Sequence, residues 1–173
     1  MTTCPFCSFT NIEGVDTCEK CGQALTGLPT DASSSSSLEK ELLSNQISSL
    51  NPKPPQVVAP KVSVREVIDM MVENSIGCVL VVENGQIQGI FTERDAVLKL
   101  NTDYQSMLER RVEEFMTPNP QTLTMDAKIA FAIQRMDQGG YRHLPIVDAK
   151  GTPIGVISVR DILAYLTGTM TGS

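Results

Sequence analysis

The chain has 173 residues, of which 41% are hydrophobic, enough for one ordinary domain and a small additional one. Its formal net charge of −6 and its sequence pI of about 4.8 argue against a main surface for nucleic acid or for an anionic membrane. No stretch of the sequence has the apolar length of a membrane span, and the N-terminus lacks the charged and then apolar layout of a signal peptide.

The first 25 residues form a region of their own because they hold four of the five cysteines. These are arranged as two Cys-x2-Cys pairs, Cys4 with Cys7 and Cys18 with Cys21. Each pair can direct two thiolates at one ion, and four thiolates complete the closed tetrahedral coordination of a structural Zn²⁺. We expect a cytoplasmic protein, in which cysteines are reduced or bound to metal. Zinc is therefore favoured over an iron–sulfur cluster, a disulfide pair or a redox dithiol.

Residues 1–25 resemble the small N-terminal zinc ribbons of many bacterial and archaeal proteins, which open on Cys-Pro-x-Cys and close on Cys-x2-Cys-Gly. The resemblance implies that metal drives folding, since so short a segment cannot bury enough apolar surface alone. Some ribbons of this kind bind nucleic acid and others bind only proteins. Lys20 is the one basic residue of this segment, so we expect a contact with protein or a purely structural cap.

Residues 26–56 have the composition of a linker, with a run of serines at 33–37 and the stretch Pro52–Pro55. Ser36 and Glu39 form a capping-box pattern ahead of an apolar stripe. The residues of that stripe are Leu38, Leu42, Leu43, Ile47 and Leu50. The pattern predicts a short docking helix or, alternatively, a partly helical tether with little contact to either neighbour, because isolated helices this short are marginal in water.

The rest of the chain reads as one arrangement of helices and strands that occurs twice. In the first copy, Ser63 and Glu66 form a capping box for a helix, and Asn84-Gly85 predicts a tight hairpin turn. The predicted elements of this copy are the helix 63–74, the buried strand Cys78–Val82, the strand Ile87–Phe91, the helix Glu93–Leu100 and a helical connector over Tyr104–Phe115.

In the second copy, Asp126 is predicted to cap a helix that ends at Gly139-Gly140. The side chains expected to face inwards from this helix are Ile129, Ala130, Ile133 and Met136. The other predicted elements are the strands Thr122–Thr124, Leu144–Val147 and Ile154–Ile157 and the helix Val159–Leu166.

The two copies share a motif at a strand-to-helix junction. The segment Gly85–Asp95 recurs 66 residues later (151 − 85) as Gly151–Asp161, with a hydroxyl residue three positions before each final Asp. A hydroxyl that opens a helix can help backbone N–H groups to hold a phosphate, and the carboxylate can accept both hydroxyls of a ribose. Arg94 and Arg160 place positive charge near such a phosphate. In a single copy the same residues would be N-caps and first-turn charges, but their duplication at one offset favours a ligand site.

With these motifs, residues 57–167 resemble a tandem pair of cystathionine-β-synthase (CBS) domains, with units at 57–113 and 114–173. The matching stretches are Ile76–Val82 and Gly89–Asp95 in the first unit, and Phe115–Pro118, Tyr141–Asp148 and Gly155–Asp161 in the second. The resemblance implies an α/β (α+β) fold of two β-α-β-β-α units packed sheet to sheet. It also implies two quasi-equivalent clefts that commonly hold adenine nucleotides.

The resemblance assigns roles by position. Asp95 and Asp161 are expected to bind ribose hydroxyls. The residues expected near phosphate are Thr92, Ser158, Arg94, Arg160, Arg142 and His143. The residues expected around adenine are Thr117, Ile76, Gly77, Cys78 and Leu144, and the flanking Tyr141 and Pro145 complete the predicted ligand-binding set. Two of these residues have plainer interpretations: His143 as a core or turn histidine, and Cys78 as a packing residue.

The expected function is a regulatory module that binds AMP, ADP, ATP or S-adenosylmethionine and signals to a protein partner. The family packs such modules as homodimers through the helices that flank the clefts, where Met70, Met71, Ala164 and Leu166 are apolar residues beyond the sheet-facing stripe. An alternative is a scaffold with unused clefts that acts through its zinc ribbon. A catalytic role is disfavoured because the chain has one His and neither a nucleophile-elbow nor a P-loop glycine pattern.

Overall fold

The computed structural model describes residues 2–4, 9–12, 14–25, 37–99 and 103–171. Over this part of the chain it contains short N-terminal strands, a helical segment and two β-α-β-β-α arrangements in succession. The elements are β1 (Thr2–Thr3), β2 (Thr10–Asn11), α1 (Ser37–Ser44), a 3-10 turn (Ile47–Leu50), β3 (Val57–Val58), α2 (Val64–Glu73), β4 (Cys78–Glu83), β5 (Gln86–Thr92), α3 (Glu93–Lys99), α4 (Tyr104–Leu108), a second 3-10 turn (Val112–Glu114), β6 (Thr117–Pro118), β7 (Leu123–Thr124), α5 (Ile129–Gly139), β8 (His143–Val147), β9 (Pro153–Ser158) and α6 (Val159–Thr171). None of the helices in these ranges is long and apolar enough to cross a membrane.

Two sheets carry the duplicated part of the chain. The first has the order β3-β4-β5-β6 and the second the order β7-β8-β9. In each, the first strand runs parallel to the second and the second pairs antiparallel with the third. The mixed α/β architecture with two sheets confirms the predicted fold class, and it repeats one connectivity from one chain half to the next.

The capping and turn chemistry of the first unit follows its sequence. The Ser63 hydroxyl accepts a hydrogen bond from the backbone N–H of Glu66, and the Glu66 carboxylate accepts one in return from the Ser63 N–H. Between β4 and β5, Asn84 and Gly85 have φ values of 52° and 77°, as a type I′ hairpin turn requires. Both predictions are confirmed.

A close backbone crossing recurs in both units beside the third strand of the repeat. A Cβ added to Gly89 would lie 2.9 Å from the carbonyl oxygen of Thr117, and one added to Gly155 would lie 2.8 Å from Pro52 Cβ. These glycines therefore admit a neighbouring segment, which pairs Thr117 with Ile90 in one unit and the residue after Pro52 with Val156 in the other. In each unit this segment runs alongside the strand that leads into the hydroxyl–Asp motif.

Residues 42–53 pack onto the second unit. Ile47 is fully buried and Leu50 is nearly so, in one apolar cluster with residues of α5, β8, β9 and α6. The Ile47 N–H donates to the Ala127 carbonyl at 2.8 Å, and the Ile129 N–H donates to the Asn45 carbonyl at 3.0 Å. The expectation of a tether with little contact is therefore wrong for this stretch, since its apolar stripe is covered by the second unit.

Two local predictions are wrong because long-range pairing overrides local pattern. The helix α5 begins after Lys128 rather than at Asp126, and its first N–H finds the Asn45 carbonyl instead of a capping side chain. Its buried face also includes Phe131 and Ala132, whereas Ala130 and Ile133 are only partly buried. The connector is two short helical pieces, because Arg111 is extended and pairs with Ser63.

The apolar residues expected to lie outside the sheet-facing stripes are only partly in that position. Met71 is buried in the core of the first unit, and Met70 and Leu166 pack partly against the two cores. Ala164 is exposed. The larger exposed apolar side chains on these helices are Val72, Val97, Leu98 and Leu163.

Replacing Ile47 by Ala tests whether residues 42–53 belong to the second core. We expect the free energy of unfolding to fall by about 2–4 kcal/mol, because a buried aliphatic side chain is lost and leaves a cavity. Val72→Ala is the control, since Val72 is 74% exposed and its truncation should change stability by less than about 0.5 kcal/mol. Urea unfolding measures both, and equal small effects would show that the segment is not part of the core.

Candidate functional site

A cavity of about 360 Å³ lies between the two units, within the size range of small-molecule sites. Three parts of the chain form its walls: residues 53–56 from the segment before β3, residues 75–78 at the start of β4 together with Glu93, and residues of the second unit. The second-unit residues are Arg142, His143, Val156, Ser158, Val159, Arg160 and Asp161. The cavity therefore needs both units and the segment that crosses Gly155.

Ser158 and Asp161 form the polar end of the cavity at the start of α6. The Asp161 Oδ2 atom accepts hydrogen bonds from the Ser158 N–H at 2.6 Å and from the Ser158 hydroxyl at 2.8 Å. The other carboxylate oxygen, Oδ1, has only the Lys53 ammonium near it, at 3.8 Å, among the residues described. One oxygen thus holds the helix start and the second remains available to hydroxyl donors.

The cavity is lined by three side chains with a fixed positive charge, Lys53, Arg142 and Arg160, and by two carboxylates, Glu93 and Asp161. Neither arginine has an ion-pair partner within the described ranges. Arginines without a carboxylate partner beside a hydroxyl and a helix start suit a phosphate group. Electrostatics at this end of the cavity favours an anionic ligand.

His143 lies against the first unit. A Cβ on Gly77 would come within 2.7 Å of the His143 Nε2 atom, so only glycine leaves room for this ring. The Nδ1 atom is buried and has no hydrogen-bond partner among the described residues. Burial lowers the pKa of His143 below 6.5; Glu93 and Asp161 oppose this effect, and Arg142 and Arg160 add to it. His143 is therefore held neutral with an unsatisfied nitrogen, unlike a hydrogen-bonded core histidine.

Sequence reasoning missed the part of the wall that lies before β3. Lys53, Pro54, Pro55 and Gln56 line the cavity, yet their composition reads as a linker. A signal was available in the repeat: Lys53 pairs with Val156 as Thr117 pairs with Ile90, and Val156 is Ile90 shifted by one repeat. The repeat thus relates Lys53 to a residue already predicted to contact the ligand.

The structure does not bring all the predicted ligand-binding residues to this cavity. Ile76, Gly77, Cys78, Arg142, His143, Ser158, Arg160 and Asp161 line it. Leu144 is 1% exposed in the core of the second unit, and Pro145 is buried in β8 beside it. Tyr141 lines a separate depression together with residues 22–24. Thr92, Arg94, Asp95 and Thr117 belong to the quasi-equivalent junction of the first unit rather than to the lining of this cavity.

Cys78 has both of the proposed roles. It lines the cavity and packs against Leu80 and Ile90 with 7% of its surface exposed. Burial raises the pKa of its thiol to about 12, so the side chain is a protonated, apolar part of the wall.

The N-terminal cysteines converge. The Sγ atoms of Cys4, Cys18 and Cys21 all lie within 4.8 Å of one another, and those of Cys4 and Cys21 are 3.7 Å apart. Zn–S bonds of about 2.3 Å in a tetrahedron place sulfurs about 3.8 Å apart, so these three residues fit a zinc ion. Gly22, directly after the second pair, has a φ of 69°, which glycine accommodates without strain. Cys7, the fourth predicted ligand, lies outside the described residues.

The cysteine-rich segment rests on α5 of the second unit. The Gln23 side chain is 6% exposed; its amide donates to Gln134 Oε1 at 3.0 Å and its carbonyl accepts from Arg135 at 3.2 Å. The same arginine also donates to the backbone carbonyl of Thr122. One side chain of the N-terminal segment is thus fully engaged by the helix that precedes the Arg142–His143 wall.

Comparison with known proteins gives a consistent family assignment. A family model described as CBS domain matches residues 47–101 and 112–168, so the first match begins within the predicted linker. An uncharacterized 17.7 kDa protein of Acidianus ambivalens is 34% identical over 117 residues, which cover 66% of this chain and 69% of that protein. Relatives from Schizosaccharomyces pombe and Arabidopsis thaliana are much longer, and the chain spans only 17% and 19% of their lengths.

Solved structures show the same fold. A CBS-domain protein of Agrobacterium tumefaciens is 27% identical, with a TM-score of 0.66 over 70% of this chain and 99% of that one. A CBS-domain protein of Pyrobaculum aerophilum, complexed with AMP, is 23% identical, with a TM-score of 0.63 over 74% of this chain and 100% of that one. The CBS domain pair of protein MJ0100, in complex with 5′-methylthioadenosine and S-adenosyl-L-methionine, is 22% identical, with a TM-score of 0.63 over 70% and 99% of the two chains.

The environment of His143 predicts a dependence of stability on pH. Its folded pKa lies below its unfolded value, so the unfolded state binds a proton first as the pH falls through about 6.5. We expect the free energy of unfolding to decrease between pH 7 and pH 5.5, and His143→Gln to remove part of this slope, at most about 1.4 kcal/mol per pH unit. Denaturant unfolding at a series of pH values measures it, and identical slopes in both proteins would contradict the assignment.

Proposed function

Because the chain belongs to the CBS-domain family, we propose that it is a regulatory module whose cavity between the two units binds an adenosine-containing small molecule. Occupancy of the cavity is then communicated to a protein partner. The observation that carries the proposal is the Asp161 carboxylate, which keeps one oxygen available beside Arg142, Arg160 and a helix start. The AMP bound to the Pyrobaculum protein and the adenosyl ligands bound to protein MJ0100 support the ligand class.

In this proposal Asp161 Oδ1 accepts hydrogen bonds from the ribose hydroxyls. The hydroxyl of Ser158, the first N–H groups of α6 and the two arginines hold phosphate, and His143 contacts the ligand with a neutral ring. The apolar base lies against Ile76 and the proline segment that follows Lys53. Each role uses a group that already lines the cavity.

The charge of the lining favours a nucleotide over S-adenosylmethionine. Three fixed positive charges face two carboxylates, so a phosphate gains attraction, whereas the sulfonium group of S-adenosylmethionine adds a further positive charge. AMP, ADP and ATP share the groups that this cavity would bind. We therefore propose an adenine nucleotide as the ligand and a regulatory rather than a catalytic role, which agrees with the protonated state of the Cys78 thiol in the wall.

For the N-terminal segment we propose a zinc ribbon with Cys4, Cys7, Cys18 and Cys21 as ligands. The three described sulfurs have a spacing that suits tetrahedral zinc, and such a site needs reduced thiols, as in the cytoplasm. When bound, zinc supplies folding free energy to a segment too short to fold alone. The segment's contact with α5 supports a role in protein contacts rather than in nucleic-acid binding.

A homodimer is also part of the proposal. The helices α3 and α6 carry exposed apolar side chains, among them Val97 at 77%, Leu98 at 63% and Leu163 at 55% exposure. Apolar residues of this size on two helices that begin at the hydroxyl–Asp motifs suit an association surface. The protein partner would then sense the cavity through a dimer rather than through a single chain. The alternative, a scaffold with unused cavities, keeps the same surface and loses the ligand.

Asp161→Ala tests the ligand site. We expect adenine nucleotide affinity to fall by about 2–4 kcal/mol, because a charged acceptor for the ribose hydroxyls is removed. The protein should stay folded, since loss of the cap at the start of α6 costs only about 1 kcal/mol. Calorimetry with AMP, ATP and S-adenosylmethionine measures the change, after removal of any ligand that co-purifies. No binding by the wild type would leave the scaffold as the better proposal.

Chelation tests the zinc ribbon. Native mass spectrometry should show one zinc per chain, which a strong chelator removes. Because Gln23 is anchored on α5, we expect metal loss to lower the melting temperature of the main transition slightly, instead of leaving it unchanged as a detached ribbon would. Gln23→Ala is the matched control, since it should give a similar shift while zinc stays bound. Absence of zinc from freshly purified protein would contradict the proposal.

A further inference from the structure

The hydroxyl–Asp junction of the first unit has the same local geometry as that of the second. The Asp95 Oδ2 atom accepts hydrogen bonds from the Thr92 N–H at 2.9 Å and from the Thr92 hydroxyl at 2.7 Å. In each unit one carboxylate oxygen is used by the helix start. Any difference in ligand binding between the junctions must therefore come from the other oxygen.

The second oxygen of Asp95 is already engaged. The Lys99 ammonium, one turn further along α3, lies 2.7 Å from Oδ1, and the Thr117 hydroxyl donates to the same atom at 3.2 Å. Lys99 is held in place by a second strong contact, because it also donates to the Phe115 carbonyl at 2.7 Å. Asp95 is 8% exposed as a result.

The corresponding groups in the second unit leave Asp161 free. The residue at the Lys99 position, one repeat of 66 residues later, is Tyr165. Its hydroxyl accepts a hydrogen bond from the Asn45 side chain at 2.5 Å instead of reaching the carboxylate. The cation near Asp161 is Lys53, at 3.8 Å and with 78% of its side chain exposed, so it can turn into solvent at little cost.

We propose that Lys99 closes the first-unit junction to ligand, so that each chain binds one nucleotide, at Asp161, rather than two. The inference rests on the proposed function, since it concerns the same ligand class. The Lys99 ammonium takes the position on Asp95 that ribose hydroxyls would need. A ligand must break a short ion pair and also release the ammonium from the Phe115 carbonyl. Lys99 is thus the residue that determines which of two duplicated sites can bind.

Removing the ammonium should open the second site. Lys99→Met keeps the length and helix propensity of the side chain, and Lys61→Met is the matched control at an exposed lysine. Calorimetry with AMP, and separately with ATP, should give one site per chain for the wild type and for Lys61→Met, and two for Lys99→Met. Lys99→Gln serves if the Met variant melts early, because its amide can still donate to the Phe115 carbonyl.

Two carboxylate variants assign the sites. Asp95→Ala in the wild-type background should leave affinity and stoichiometry unchanged, and Asp161→Ala combined with Lys99→Met should retain one site. Two sites in the wild type, one of them lost in Asp95→Ala, would overturn the inference and leave the proposed function intact. One site in a folded Lys99 variant would also overturn it.

The failure of the proposed function has a different result. If the wild type binds neither nucleotide but the Lys99 variant binds one, the closure by Lys99 stands and the function of the Asp161 cavity fails. If neither protein binds, both proposals are wrong.

Discussion

The cavity depends on a close backbone crossing at Gly155. Because this residue has no side chain, the segment at Pro52 can lie against β9, and its pairing with Val156 places the following residues along the cavity. The same crossing draws residues 42–50 onto the second unit, where Ile47 and Leu50 complete its core. A side chain at position 155 would separate these layers, so one glycine links the stability of the second unit to the presence of a binding wall.

Structural and functional interpretations of the hydroxyl–Asp motif are compatible at the atomic level. In both units one carboxylate oxygen closes a capping interaction with the hydroxyl residue, and this fixes the orientation of the carboxylate. The second oxygen is then positioned without further cost for whatever donor reaches it. That donor is Lys99 in one unit, while in the other only a distant and exposed lysine is near. A duplicated motif can thus keep its structural role in both copies and offer a ligand site in one.

Most of the fold was predictable from sequence because its signals are local. The Ser63 capping box, the Asn84-Gly85 turn and the buried strand at Cys78 each depend on residues within a few positions of one another, and the duplication fixed their order. The candidate site was predictable in part, since Asp161, Arg142 and His143 came from the resemblance and do line one cavity. Lys53 and the shortened start of α5 were missed, because each is set by pairing with a segment distant in sequence. The difference between the two junctions was also out of reach, since local pattern does not tell that Lys99 turns towards Asp95 while Tyr165 turns towards Asn45.

The N-terminal segment and the cavity meet opposite ends of one short piece of structure. Gln23 is held by Gln134 and Arg135 on α5, and this helix ends at Gly140, whose φ of 63° turns the chain directly into Arg142 and His143. Between them the Tyr141 ring packs on Gly139, beside the depression that residues 22–24 help to line. Since packed cores shift between discrete arrangements rather than deform continuously, a change in the position of Arg142 or His143 is constrained by the same turn that supports the N-terminal segment. The chain therefore places its cysteine cluster on the element that carries the basic wall of the cavity, so that a partner bound to one would contact a surface positioned by the other.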